Sequence, residues 1–139
     1  MGTNEIDILL IEDNPDDAGL TIRSLKQRNL ANKLVHLSDG EEAIRFLFSD
    51  SNPMPKLILL DLELPKVDGI GVLKRIKADE QKRVIPVVMM TSSQEQKDII
   101  ESYQLGANAY IVKPSDFDKF AELVGTLGSF WLMLNQRTA

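Results

Sequence analysis

Five short apolar runs alternate along the chain with longer amphipathic stretches. The first, third and fourth runs are apolar at successive positions, which is typical of strands that a parallel sheet buries on both faces. The runs are Ile8–Ile11, Leu34–Leu37, Leu57–Leu60, Val84–Met90 with an interruption at Pro86, and Ala109–Val112. We therefore predict five β-strands.

Helix signals lie between and after these runs. Asn14 followed by Pro15 is typical of a helix start, because Asn caps the free backbone N–H groups and Pro is favoured at the first helical position. Further starts are predicted at Asp39-Gly40, Asp68, the capping box Ser92-x-x-Glu95 and Asp116, and Gly106 is predicted to end the fourth helix. In the last helix a buried stripe is predicted over Phe117, Phe120, Ala121, Val124, Leu127, Trp131 and Leu134.

A strand followed by a helix, repeated five times, is the pattern of a doubly wound α/β fold with a five-stranded parallel sheet and five helices. The length of 139 residues corresponds to one ordinary domain, and we expect residues 1–139 to form it without an output domain.

Composition narrows the function classes. The chain has no cysteine and one histidine, His36, which excludes disulfides, thiolate metal sites and multi-histidine centres. The formal charge of −5 disfavours binding to nucleic acid or an anionic membrane surface. No apolar segment approaches membrane-spanning length and no signal peptide is recognisable, so a soluble, cytoplasmic protein is expected.

Polar residues follow the predicted strands at the point where each strand ends. Ligands of such sheets bind outside the carboxyl ends of the strands. These ends carry Glu12-Asp13, Ser38-Asp39-Gly40, Asp61, Thr91-Ser92 and Lys113-Pro114. A carboxylate after a strand often only caps the next helix, but Asp61 directly follows four apolar residues, where an unpaired charge is costly.

Clustered carboxylates repel one another unless a cation joins them. Oxygen ligands without His or Cys suit Mg²⁺, Mn²⁺ or Ca²⁺, and Mg²⁺ is favoured where phosphate binds beside the metal. Lys113 would balance the charge of such an anion. Thr91 would donate a hydrogen bond to it.

The sequence resembles the response-regulator receiver domains of two-component signalling over almost its whole length, from Ile8 to Leu134. The motifs are Ile11-Glu12-Asp13, Leu59-Leu60-Asp61-Leu62 with Leu64-Pro65 and Asp68-Gly69, Met90-Thr91-Ser92, Gly106-Ala107, and Tyr110-Ile111-Val112-Lys113-Pro114. Glu12-Asp13-Asn14-Pro15 and Phe130-Trp131-Leu132 further resemble the single-domain regulators that serve phytochrome-type histidine kinases.

The resemblance implies a flavodoxin-like sheet in the order 2-1-3-4-5 and a role for each motif residue. Asp61 matches the phosphoacceptor and Lys113 the phosphate-binding lysine, joined by a cis bond to Pro114. Thr91 and Tyr110 match the switch pair. The Mg²⁺ ligands are implied to be Glu12, Asp13, Asp61 and the backbone carbonyl of Glu63.

The resemblance also implies partners. A sensor histidine kinase, of the phytochrome type on the narrower motif match, would supply the phosphoryl group, and a histidine phosphotransfer protein or another protein would read the signal. The chain would catalyse only its own phosphorylation and dephosphorylation. We further expect a homodimer through the face formed by the fourth helix, fifth strand and fifth helix, because the last helix is more apolar than one buried face requires.

Three alternatives compete with this interpretation. One is a metal-dependent phosphatase with an aspartate nucleophile, although Glu63 stands where its acid–base Asp would be. The second is a receiver-shaped scaffold that is never phosphorylated, and the third is a flavin-binding domain, which lacks its phosphate-binding loop here. His36 as a phosphohistidine is disfavoured, because a strand histidine is usually structural.

Overall fold

The computed structural model describes residues 5–137. Five strands alternate with five helices along the chain. The strands are β1 (Ile6–Ile11), β2 (Leu34–Leu37), β3 (Pro55–Leu60), β4 (Val87–Thr91) and β5 (Ala109–Val112). The helices are α1 (Pro15–Gln27), α2 (Gly40–Leu47), α3 (Gly69–Ala78), α4 (Gln96–Gln104) and α5 (Phe117–Ser129), with a 3₁₀ turn at Lys82–Val84 and a π-helical turn at Phe130–Leu134.

The strands form one parallel sheet in the order β2-β1-β3-β4-β5. This confirms the predicted doubly wound fold and its strand order. In that order β1, β3 and β4 are the central strands, and these are the strands whose sequences are apolar at successive positions. The order reverses beside β1, so the carboxyl ends of β1 and β3 flank the switch point where such folds bind their ligands.

Alternate residues of each central strand enter two separate cores. Ile8 and Leu10 of β1 pack on the side of α1 and α5, and Leu9 and Ile11 pack on the opposite side with α2 and α3. The same division applies to β3 and β4, because successive side chains of a strand point to opposite faces. Both faces of the sheet are thereby removed from water.

Side-chain caps start four of the five helices. Asn14, Asp39, Asp68 and Asp116 each accept backbone N–H bonds at the start of α1, α2, α3 and α5. The predicted capping box at Ser92 and Glu95 is wrong. Glu95 precedes α4 without a side-chain cap bond, because Ser93 instead accepts the Glu95 N–H at 3.3 Å and donates to Asp98 at 2.5 Å.

The stripe predicted along the last helix is correct in the middle and wrong at its two ends. Phe120, Val124 and Leu127 are buried, whereas Phe117 is 64% and Leu134 69% exposed. Phe117 is the first residue of α5, ahead of the turn that contacts the core. Leu134 loses the helical period because the chain changes after Ser129 to a π turn, whose i→i+5 bonding alters the angular spacing of side chains.

Candidate functional site

The carboxyl ends of β1, β3, β4 and β5 converge on a charged site. Glu12 follows β1, Asp61 follows β3, Thr91 ends β4 and Lys113 follows β5. The backbone fixes these positions, because the N–H of Asp61 donates to the Ile11 carbonyl at 3.1 Å and the N–H of Lys113 donates to the Thr91 carbonyl at 2.8 Å. The residues that the sequence predicted for the rim are therefore brought together by the sheet.

The ammonium group of Lys113 is the centre of this site. Its Nζ donates to Glu12 Oε1 at 2.6 Å, to Asp17 Oδ2 at 2.8 Å and to Asp61 Oδ2 at 2.9 Å. The Lys113 side chain is only 6% exposed. Burial and charge pairing together make these bonds stronger than the same contacts would be in water.

Glu12 and Asp61 are two buried carboxylates that share the lysine, and their pKa values move in opposite directions. Burial and the neighbouring Asp61 raise the pKa of Glu12 to about 7, against the opposing effect of Lys113. Burial alone would raise the pKa of Asp61, but hydrogen bonds from Glu12, Lys113 and the Thr91 side chain hold it below its usual value. Asp61 is therefore the carboxylate that stays ionised.

Lys113 itself stays protonated. Burial would lower its pKa, but hydrogen bonds to Asp17, Asp61 and Glu12 raise it above the usual range. The site thus presents a permanent cation beside the ionised Asp61. A positive group in that place attracts an anionic ligand and stabilises negative charge that develops beside the carboxylate.

Three carboxylates at the rim form a group suited to a divalent cation. Glu12, Asp13 and Asp61 each offer an oxygen, and these atoms all lie within 4.8 Å of one another. Asp13 is exposed while the other two are buried, so the group opens to solvent on one side. Oxygen donors with an open side fit Mg²⁺, as the sequence predicted.

Glu63 was expected to contribute its backbone carbonyl. Its N–H donates to Asp61 Oδ1 at 3.3 Å, which places this backbone next to the predicted acceptor. Its side chain is exposed. The role of the carbonyl stays a prediction.

Thr91 and Tyr110, the expected switch pair, both contact the loop between β4 and α4. Thr91 is fully buried, and its hydroxyl oxygen lies 3.5 Å from the Ser93 N–H. The Tyr110 hydroxyl donates to the Ser93 carbonyl at 2.9 Å. Ser93 was not singled out in the sequence, yet it joins the two switch residues.

The expectation of a cis bond between Lys113 and Pro114 is wrong. The peptide bonds between residues 5 and 137 are all trans. A trans bond is the lower-energy form before proline, by about 0.5–1 kcal/mol. Lys113 reaches its three carboxylates from this trans backbone, so its orientation does not depend on a cis bond.

Sequence reasoning did not predict two further contacts that support the site. Asp17 was interpreted only as a favourable acid in the first turn of α1, but it bonds Lys113. His36 lies on edge strand β2, and its Nε2 is 2.8 Å from the carbonyl oxygen of Glu12. The position of α1 directly after β1 was the available signal for Asp17, because its first turn must start at the rim.

Comparison with known proteins agrees with the fold. The response regulator receiver domain family matches residues 8–125. Response regulator Rcp1 of Synechocystis sp. is 40% identical over 129 residues, which cover 90% of this chain and 88% of that protein. This chain belongs to the response-regulator receiver domain family, and it is a signalling protein of two-component systems.

Two solved structures are similar over nearly the whole chain. The Mn²⁺-bound form of Rcp1 has a TM-score of 0.90 and 38% identity, covering 96% of this chain and 99% of that one. The phosphorylated cyanobacterial phytochrome response regulator RcpA has a TM-score of 0.89 and 35% identity, covering 97% and 99%. Between residues 5 and 137, no helix is long and apolar enough to cross a membrane.

Proposed function

We propose that Asp61 is the residue of this chain that accepts a phosphoryl group from a sensor histidine kinase. The observation that carries the proposal is the ionised Asp61 carboxylate at the end of β3, bonded by the ammonium of Lys113 and beside two further carboxylates. Phosphoryl transfer needs this arrangement of a nucleophilic oxygen, a fixed cation and a group that binds a metal cation.

In the proposed transfer, an Asp61 oxygen forms a bond to phosphorus while the bond from phosphorus to the donor histidine nitrogen breaks. The bonding electron pair leaves with the donor. Lys113 donates to one phosphoryl oxygen and Thr91 to another, which stabilises charge in a loose, in-line transition state. Glu12, Asp13, Asp61 and the Glu63 carbonyl would hold Mg²⁺, which would neutralise more of that charge when bound; Mn²⁺ or Ca²⁺ would suit the same oxygen ligands.

The acyl phosphate is removed by water. A water oxygen forms a bond to phosphorus, the bond from phosphorus to Asp61 breaks, and the products are inorganic phosphate, a proton and the free carboxylate. The chain therefore catalyses its own modification and recovery. No other turnover is proposed.

Phosphorylation would be read through Thr91, Tyr110 and the loop between β4 and α4. A new phosphoryl oxygen draws the Thr91 hydroxyl towards Asp61. The contact of Tyr110 with the Ser93 carbonyl supports this connection, because movement of that loop and rotation of the tyrosine must accompany each other.

The partners we propose are a histidine kinase, of the phytochrome type on the likeness to Rcp1 and RcpA, and a downstream phosphotransfer or other target protein. A cytoplasmic location agrees with such partners. Neither nucleic acid nor a membrane is proposed as a partner, since the formal charge is −5.

We propose that a second copy of the chain binds to the α4–β5–α5 face. β5 is an edge strand, and α4 beside it exposes Ile100 and Tyr103 to about half of their surface. The Tyr103 hydroxyl accepts the Tyr110 N–H at 3.1 Å, which ties this face to the switch strand. Exposed apolar side chains on a face linked to the switch favour a homodimer.

Incubation with acetyl phosphate, with and without Mg²⁺, tests the acceptor. We expect intact-mass measurement to show one added phosphoryl group that requires both Mg²⁺ and Asp61. Asp61→Asn should remain unmodified, and Asp50→Asn is the control because Asp50 is an exposed carboxylate in the segment before β3, whereas Asp61 follows that strand. Turnover of an external phosphoester would instead favour the phosphatase alternative, and an unmodified wild-type chain would favour the scaffold.

A further inference from the structure

Asp17 makes a contact in the site that the roles assigned so far do not use. Its Oδ2 accepts from Lys113 Nζ at 2.8 Å, as closely as the predicted acceptor Asp61 does at 2.9 Å. Asp17 is not one of the three carboxylates grouped for a cation. Asp17, at the start of α1, therefore bonds the buried Lys113 although it has neither a metal-binding nor a phosphoacceptor role.

The backbone of Asp17 is held at both of its polar groups. Its N–H donates to the capping Asn14 Oδ1 at 3.1 Å, and its carbonyl accepts from the Thr21 hydroxyl at 2.8 Å. The start of α1 therefore fixes the point from which the carboxylate reaches Lys113. A side chain on a capped helix is a more precise anchor than one on a loop.

Lys113 needs such an anchor when a phosphoryl group arrives. An ammonium has three N–H donors, and Glu12, Asp17 and Asp61 accept all three. Phosphorylation converts the Asp61 carboxylate to an acyl phosphate, so the N–H group that bonded this carboxylate is free to turn to a phosphoryl oxygen. Glu12 is also a proposed cation ligand. Asp17 is then the acceptor of Lys113 that takes on no second role during the reaction.

We propose that Asp17 is a positioning residue that acts through Lys113 and sets the rate at which Asp61 gains its phosphoryl group. Lysine is a flexible four-carbon chain whose ammonium is not oriented by its own geometry. Asp17 holds it on the α1 side of the site, with one donor directed to Asp61. The inference rests on the proposed role of Asp61 and specifies how the cation beside it is held.

Matched variants separate this role from a general effect of charge. Asp17→Ala removes both the acceptor oxygen and the charge, whereas Asp17→Asn retains an oxygen that can accept from Lys113. Asp16→Ala is the control, because Asp16 is an exposed carboxylate in the same helical turn and gives α1 the same favourable first-turn charge.

The experiment is a time course of intact mass with acetyl phosphate and Mg²⁺ for the whole chain. We expect Asp17→Ala to be phosphorylated roughly tenfold more slowly than wild type, since small misplacements of a catalytic group cost factors of this order. Asp17→Asn should recover most of the rate, and Asp16→Ala should match wild type. Equal slowing in both Asp17 variants would show that the charge of Asp17, and not its bond to Lys113, is responsible, and would contradict the anchor.

Other outcomes overturn the inference. An Asp17→Ala rate equal to wild type shows that Lys113 needs no anchor, and faster phosphorylation of both Asp17 variants shows that Asp17 acts by repelling the donor. Equal slowing in Asp16→Ala shows a general effect on α1. If the alanine variant is unfolded in a thermal melt, Asp17→Ser replaces it, because serine lacks the carboxylate and has a shorter side chain, and its rate must then fall below the rates of Asp17→Asn and Asp16→Ser. An unmodified wild-type chain overturns both this inference and the proposed acceptor, whereas a modified one isolates the role of Asp17.

Discussion

Lys113 is the residue on which the electrostatic balance of the site depends. Its ammonium is buried among three carboxylates, two of them also buried. Buried carboxylates without a counterion repel one another and lose hydration, which costs several kcal/mol per ion. The lysine therefore compensates buried charge in the folded state, and in the proposed transfer it also donates to a phosphoryl oxygen.

Replacement of Lys113 by methionine should lower the free energy of unfolding by about 3 kcal/mol at neutral pH, because it leaves buried carboxylates unpaired. Urea unfolding without divalent cations measures this. Lys97→Met is the matched control, because the Lys97 side chain is 80% exposed and its contact with Glu95 lies at the surface. The control should change stability by less than about 1 kcal/mol. Equal effects of the two variants would show that Lys113 does not compensate the buried charges.

At the scale of elements, the start of α3 packs directly on the strand end that carries Asp61. A Cβ atom built on Gly69 would collide with the carbonyl oxygen of Asp61 and the backbone of Leu62. The Gly69 N–H also donates to the Leu62 carbonyl at 2.8 Å. This close approach sets the position of the loop from which Asp61 projects.

Gly69→Ala should therefore destabilise the fold by about 1–3 kcal/mol, since backbone atoms must move to admit the methyl group. The displacement should also slow the reaction of Asp61 with acetyl phosphate. Gly19→Ala is the control: it lies in α1, where an added Cβ would meet only the flexible end of Arg23 at 3.3 Å. Helix propensity should make that variant more stable by about 0.5–1 kcal/mol. Calorimetry should give a lower melting temperature for Gly69→Ala than for Gly19→Ala. Equal melting temperatures would contradict the close approach of α3 to the end of β3.

The strands and helices also show which features of the fold can be predicted from the sequence. Uninterrupted apolar runs such as Leu57–Leu60 predicted the central strands, because only burial on both faces permits that pattern. Asp61 could be predicted for the same reason, as a charge next to such a run. The exposure of Leu134 could not be predicted, because it follows from a π turn that no residue type specifies.

Tertiary contacts limited the prediction of the site in the same way. Asp17 and Lys113 are 96 residues apart in the chain, and their ion pair depends on where α1 and β5 end in space. The role of Ser93 likewise depends on Tyr110 reaching its carbonyl from another strand. Local patterns predict which residues reach the rim, whereas they do not predict which of those residues bond each other.

At the scale of the whole molecule, the charged rim and the α4–β5–α5 face are joined through β4 and β5. Thr91 ends β4 beside Asp61, and Tyr110 lies in β5 with its hydroxyl on the loop that follows Thr91. In the proposed switch, a change at the rim therefore reaches an exposed face through neighbouring strands. This connection gives a physical route from phosphorylation to association.

Ile100→Glu should disrupt the proposed homodimer, because it places a charge on the apolar part of α4. Light scattering should give the mass of a dimer for wild type and of a monomer for this variant. Val84→Glu is the control, since Val84 is similarly exposed but lies in the 3₁₀ turn that precedes β4. A dimer that survives Ile100→Glu, or is lost equally in Val84→Glu, would contradict an interface on this face.

Chemical trapping locates the phosphoryl group and so tests whether Asp61 carries it. After reaction with acetyl phosphate and Mg²⁺, borohydride reduces an acyl phosphate to an alcohol and converts the modified aspartate to homoserine, which peptide mass spectrometry locates. We expect homoserine at position 61 and unaltered aspartate at positions 13 and 17. Homoserine at either of those positions, with position 61 unchanged, would contradict it.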